Sequence, residues 1–135
     1  MAIIVWGDTY GVGVKDLDEQ HRNLAERIGD LHKALRAGKN QAVTSPKLKS
    51  LIDSFSEHFA AEERYMLLFD YPDYMAHKAR HDRFTRQVAD YHDRLRVEAA
   101  LLSMEFLEFL SDWFTTHIIE FDRQYGPLFR EKGLP

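Results

Sequence analysis

Two ligand-type pairs flank a proline turn, and this arrangement constrains the chain more than any other feature. His58 and Glu62 stand four residues apart, as do His77 and His81, with Tyr71-Pro72 between the pairs. On a helix, a four-residue step returns to nearly the same face one turn along. The residue before a proline avoids the helical region, so the first of these helices must stop near Tyr71. Helices joined by so short a turn lie antiparallel and adjacent. The two pairs then face each other across one helix interface, which is a metal-site geometry.

Apolar periodicity supplies the rest of the fold. One helix is expected from Asp16 or Asp18 to Ala37, with Gly38 as its stop and Leu17, His21, Leu24, Ile28, Leu31 and Leu35 on one stripe. Residues 39–44 read as a loop. Ser45-Pro46 then reads as the N-cap and first position of a second helix reaching about Phe69, with Phe55, His58, Phe59, Glu62 and Met66 inward. A third helix is expected over 73–96, with His77, His81, Phe84 and Val88 inward. A fourth is expected over 104–124, capped by Ser103, carrying Phe106, Leu110, Trp113, His117 and Phe121, and stopped by Gly126-Pro127. The residues before the first helix mix Ile3, Val5, Trp6, Tyr10 and Val12 with three glycines, which suits an extended arm laid over a bundle. The expectation is therefore an all-α chain: an up-down-up-down four-helix bundle with an extended N-terminal arm. It forms a single domain over 1–135, divided into arm (1–16), bundle (17–125) and C-terminal tail (126–135).

Composition removes several classes of function. A formal net charge of -4 offers no basic footprint for nucleic acid. There is no cysteine, so disulfides, thiolate metal sites and cysteine nucleophiles are absent together. Any metal must be held by imidazole and carboxylate, which suits iron, zinc, copper or nickel. No apolar run is long enough to span a membrane. A cytoplasmic monomer is the default expectation.

The inward stripes carry an unusual load. His21 comes from the first helix, His58 and Glu62 from the second, His77 and His81 from the third, and His117 from the fourth. With alternating helix direction, all fall near mid-height. One buried histidine is usually an ordinary core residue. Five converging on one level would cost several kcal/mol each if left unpartnered. They exceed the four ligands of a structural metal and suit two metals with bridging carboxylates. A second bridge is expected after His117. Ideal helix geometry puts Glu120 about 60° and Asp122 about 140° from His117, so it favours Glu120, and Asp122 would need a π-type turn. His32 and His92 read as surface residues, and Glu63 reads as pointing away into solvent.

The segments WGDTYGVGVKDLDEQH (6–21), HFAAEE (58–63), YPDYMAHKARH (71–81) and DWFTTHIIEFDRQY (112–125) resemble the bacterial hemerythrins. H-x3-E, H-x3-H and H-x4-D in this order, after an upstream D-x-x-H, form a specific signature. The resemblance implies two iron ions in a non-haem centre bridged by an oxo or hydroxo group. It implies that His77, His81 and His117 hold one iron and His21 and His58 the other, with Glu62 and Asp122 as bridges. It thus selects Asp122 over Glu120. The iron with two histidines would keep an open position for dioxygen, bound reversibly within walls of Leu24, Trp113, Phe114 and Ile118. Phe114 departs from the family, which usually carries leucine three residues before this histidine. The implied protein is an oxygen binder, not an enzyme, serving storage, sensing or delivery to an oxygen-consuming enzyme. The competing readings are a di-iron enzyme handling peroxide or nitric oxide, a zinc hydrolase, and an iron-binding signalling module.

Overall fold

The computed structural model describes residues 10–98 and 104–135. Its elements are α1 (Lys15–Arg36), α2 (Gln41–Leu68), α3 (Tyr74–Glu98), α4 (Met104–His117), a π-helical turn (Ile118–Asp122) and α5 (Arg123–Glu131). Helix α4, the π turn and α5 follow one another without a break, so they make the fourth rod of a four-helix bundle. The expected all-α architecture is therefore the observed one. Between the rods lie Leu24, Ile28 and Leu31 of α1, Leu51, Phe55 and Phe59 of α2, Phe84 and Val88 of α3, and Leu107, Leu110 and Phe114 of α4. Each such side chain is worth about 1.5–3 kcal/mol when fully buried. No helix among the described residues is long and apolar enough to cross a membrane.

The helix ends differ from expectation in two places. Helix α2 starts at Gln41, not Pro46, because the Asn40 side chain accepts a hydrogen bond from the Ala42 amide and caps the helix early. Most of the expected loop at 39–44 is thus helical. Pro46 sits inside the helix and forfeits one backbone hydrogen bond. At the other end of the chain, Gly126-Pro127 does not stop the last helix, which runs to Glu131. Gly126 serves a close approach instead. A Cβ on it would stand 2.1 Å from the Val12 carbonyl oxygen. The same oxygen accepts a hydrogen bond from Arg130 Nη1 at 2.9 Å.

Val12 is buried, and Tyr10 packs on the core, as expected of the arm. The start of α1 has no side-chain cap at Val14. Asp18 reaches back instead, accepting from the Val12 amide at 2.7 Å and the Gly13 amide at 3.3 Å. The Lys15 amide donates to the Pro135 backbone oxygen at 2.8 Å, so the tail satisfies one orphan donor of α1. The expected placements of Ile3, Val5 and Trp6, and the cap at Ser103, lie outside the described residues.

Candidate metal centre

All four rods bring ligand-type side chains to one level of the core. His21, His58, Glu62, His77, His81, His117 and Asp122 are all buried, none more than 4% exposed. They form two groups in which the ligand atoms lie within 4.8 Å of one another. One holds Glu62, His77, His81, His117 and Asp122; the other holds His21, His58, Glu62 and Asp122. The carboxylates belong to both.

Contacts within the first group outnumber the protons available to an ordinary polar core. His117 Nε2 lies 3.0 Å from His81 Nε2 and 3.1 Å from His77 Nε2. Asp122 Oδ1 lies 2.9 Å from His77 Nε2 and 3.0 Å from His117 Nε2. One imidazole nitrogen cannot serve two such neighbours with a single proton. An ion about 2.1 Å from each nitrogen would hold neighbouring octahedral ligands about 3.0 Å apart. Glu62 Oε1 and Asp122 Oδ1 are moreover buried with no hydrogen-bond partner among the described residues, a costly state that a cation relieves. The donor set therefore fits metal.

The second group is looser. His21 Nε2 is 3.0 Å from Asp122 Oδ2 and 3.6 Å from Glu62 Oε2. His58 Nε2 is 3.3 Å from Glu62 Oε1, which is also 3.3 Å from His81 Nε2. Asp122 thus turns one oxygen to each group, and Glu62 stands between them. The π turn over Ile118–Asp122 makes this possible. It admits an extra residue, so Asp122 faces inward with His117. Glu120, favoured by regular helix geometry, is exposed.

The expected pocket walls divide. Leu24, Phe114 and Ile118 are buried. The Phe114 ring meets His21 edge-on at 6.1 Å, on the side with fewer histidines. Half-buried Trp113 lies elsewhere: it stacks on His117 at 4.4 Å, against the three-histidine group.

Several partners were not expected. Glu63 is not a free surface residue, because its Oε2 accepts from His81 Nδ1 at 2.8 Å. Gln20 Oε1 similarly meets His58 Nδ1 at 2.7 Å. Phe59 stacks on His81 at 3.9 Å, with the ring planes 8° apart. The buried Tyr125 hydroxyl donates a short hydrogen bond to Glu62 Oε2. Gln20 and Glu63 each adjoin a ligand-type residue in sequence, which was the available signal. His32 is buried, contrary to its reading as a surface residue, because it faces the core from α1.

Charge follows the geometry. Burial lowers the pKa of His21, but the neighbouring Asp122 and Glu62 carboxylates outweigh it and raise the value to about 9. Burial likewise opposes the charged form of His81, and Glu62 and Glu63 raise it to about 9. Burial pushes His117 down, with Asp122 opposing. For Glu62, burial favours the neutral acid, but His58, His21 and His81 hold the carboxylate well below the usual range. Asp122 is also held far below that range: burial and Glu62 oppose ionisation, but His117 and His21 prevail. Burial and the two carboxylates drive the Tyr125 phenol well above its ordinary value.

The chain matches the model of the hemerythrin HHE cation-binding domain over residues 12–129. It is 32% identical to bacteriohemerythrin of Methylococcus capsulatus, covering 94% of this chain and 97% of that one. Bacteriohemerythrin of Stenotrophomonas maltophilia is 36% identical, with 93% of this chain and 81% of that one covered. Among solved structures, wild-type hemerythrin superposes with a TM-score of 0.90 at 31% identity, covering 95% of this chain and 98% of that one.

Proposed function

Because the chain belongs to the hemerythrin HHE cation-binding family, we propose that it binds dioxygen reversibly at a di-iron centre, as a carrier rather than an enzyme. The observation that carries this reading is the buried set of five imidazoles and two carboxylates, grouped around two positions with the carboxylates in common. In this reading His77, His81 and His117 would hold one iron and His21 and His58 the other, with Glu62 and Asp122 shared between them. The irons supply reversible, redox-based affinity for dioxygen.

The protein's own side chains set the conditions. Five imidazoles add no charge when they bind metal neutral, and the two carboxylates offset half the charge of two ferrous ions. Gln20 and Glu63 occupy the Nδ1 atoms of His58 and His81, leaving each Nε2 lone pair turned to the cluster. The asymmetry between three histidines and two would leave fewer protein ligands, and so room for dioxygen, on the His21 and His58 side. Leu24, Phe114 and Ile118 are buried apolar side chains, and the Phe114 ring lies edge-on to His21 on that side. The Tyr125 hydroxyl is committed to Glu62 through its hydrogen bond, which helps to fix that carboxylate.

Anaerobic loading with ferrous iron should give two irons per chain. Admitting air should then produce a visible charge-transfer band that disappears when oxygen is removed. Iron-loaded protein without such a band would defeat this reading. Consumption of many equivalents of peroxide or nitric oxide per chain would favour the enzymatic alternative.

A further inference from the structure

We propose that Glu63 lowers the reduction potential of the three-histidine iron by presenting a charged hydrogen-bond acceptor to His81, an inference that rests on the di-iron reading above. Glu62 and Glu63 are consecutive on α2 and engage opposite nitrogens of one ring. Glu62 Oε1 lies 3.3 Å from His81 Nε2, and Glu63 Oε2 lies 2.8 Å from His81 Nδ1. The stack on Phe59 already fixes the plane of that ring. What Glu63 adds is a fixed tautomer and negative charge. A carboxylate drawing on the Nδ1 proton makes the imidazole a stronger donor through Nε2. Stronger donation stabilises ferric over ferrous iron.

The other side of the cluster is built differently. His58 Nδ1 meets the neutral amide oxygen of Gln20 at 2.7 Å. The two ions would therefore differ in the charge behind their ligands as well as in histidine number. Little cancels the Glu63 charge. Its side chain is only 18% exposed, and Lys78 Nζ stands 4.0 Å away. That ammonium is 39% exposed and engages Asp82 more closely, at 2.9 Å, so its effect on Glu63 is weak. Glu63 is thus a positioning residue: it acts on the iron through His81.

The test uses full-length, iron-loaded protein, titrated with redox mediators that accept one electron from each iron as it passes from ferrous to ferric. Glu63→Gln keeps an acceptor and removes the charge. It should retain two irons and raise the potential of the first oxidation. Glu63→Ala removes both charge and acceptor, and should also surrender iron to a ferrous chelator about ten times more readily. Gln20→Glu places a carboxylate where a neutral amide now meets His58 Nδ1 and should lower the potential, which gives an answer even if Glu63→Gln fails to hold iron. A wild-type potential in Glu63→Gln, or in Gln20→Glu where the first variant fails, overturns the proposal. The di-iron reading stands in that case, because the wild-type protein still takes up two irons. Failure of the wild type to take up iron defeats both.

Discussion

At the scale of single residues, the cluster exchanges protons for metal. Without metal, His21 and His81 hold protons up to about pH 9, where they offset the buried charge of Glu62 and Asp122. Their folded pKa values lie above the unfolded value of 6.5. The stability they contribute is therefore complete below pH 6.5 and is lost as pH rises through about 9. It is on the order of 3 kcal/mol per histidine. The melting temperature of chelator-treated protein should fall steadily from pH 6.5 to 9.5, and His81→Gln should flatten that slope. A flat profile in the unsubstituted protein would contradict the assignment. Metal loading at neutral pH should release protons, since ligand histidines must be neutral. His77→Ala should cost iron stoichiometry and iron-dependent stability together, as the Asp122 and His117 atoms beside it lose their shared partner. Iron counting and melting of the loaded variant check this.

At the scale of elements, the sequence revealed most of what periodicity can reveal. The stripes on α1 and α3 and the turn at Tyr71-Pro72 are local patterns, and so were legible. Asp122 was not legible from regular geometry, because the π turn that aims it inward has no simple signature in IIEFD. Only the family resemblance supplied it. Gly126-Pro127 misled for a related reason: a glycine placed for a tertiary approach is indistinguishable in sequence from a helix stop. Glu63 misled because helix spacing turns it away from Glu62, yet α3 packs close enough for His81 to reach it. The role of Gly126 can be measured. In Gly126→Ala the new Cβ would meet the Val12 carbonyl oxygen at 2.1 Å, a backbone atom fixed by Arg130. A loss of about 2–3 kcal/mol is expected, as for other overpacked sites. Gly38→Ala is the control, since nothing among the described residues lies within 4 Å and its φ of +73° is what opposes the change, at about 1–2 kcal/mol. Denaturant melts should rank the two in that order.

At the scale of the whole molecule, the bundle is held where the tail meets the start of α1 and at mid-height by its polar cluster. The Pro135 oxygen and Arg130 tie the tail to Lys15 and Val12, so α1 and α5 are closed by contacts that need no metal. The cluster is the opposite case. Seven ionisable side chains have been taken out of water, and one oxygen each of Glu62 and Asp122 has no hydrogen bond among the described residues. Metal offsets that cost only while it is bound, and an ion that binds the folded chain alone raises stability by linkage. The aromatic and aliphatic layers above the cluster, such as Phe55 against Phe84 at 5.0 Å, do not depend on it. Removing iron should therefore leave a folded but weaker bundle. Its helical circular dichroism should be largely kept, while its melting temperature should drop by about 10 °C or more, given about 3 °C per kcal/mol for a chain of this size. Adding ferrous iron back without oxygen should restore the original value. A melting temperature indifferent to iron would mean that the seven side chains satisfy one another, and the site would then be a polar core rather than a metal centre.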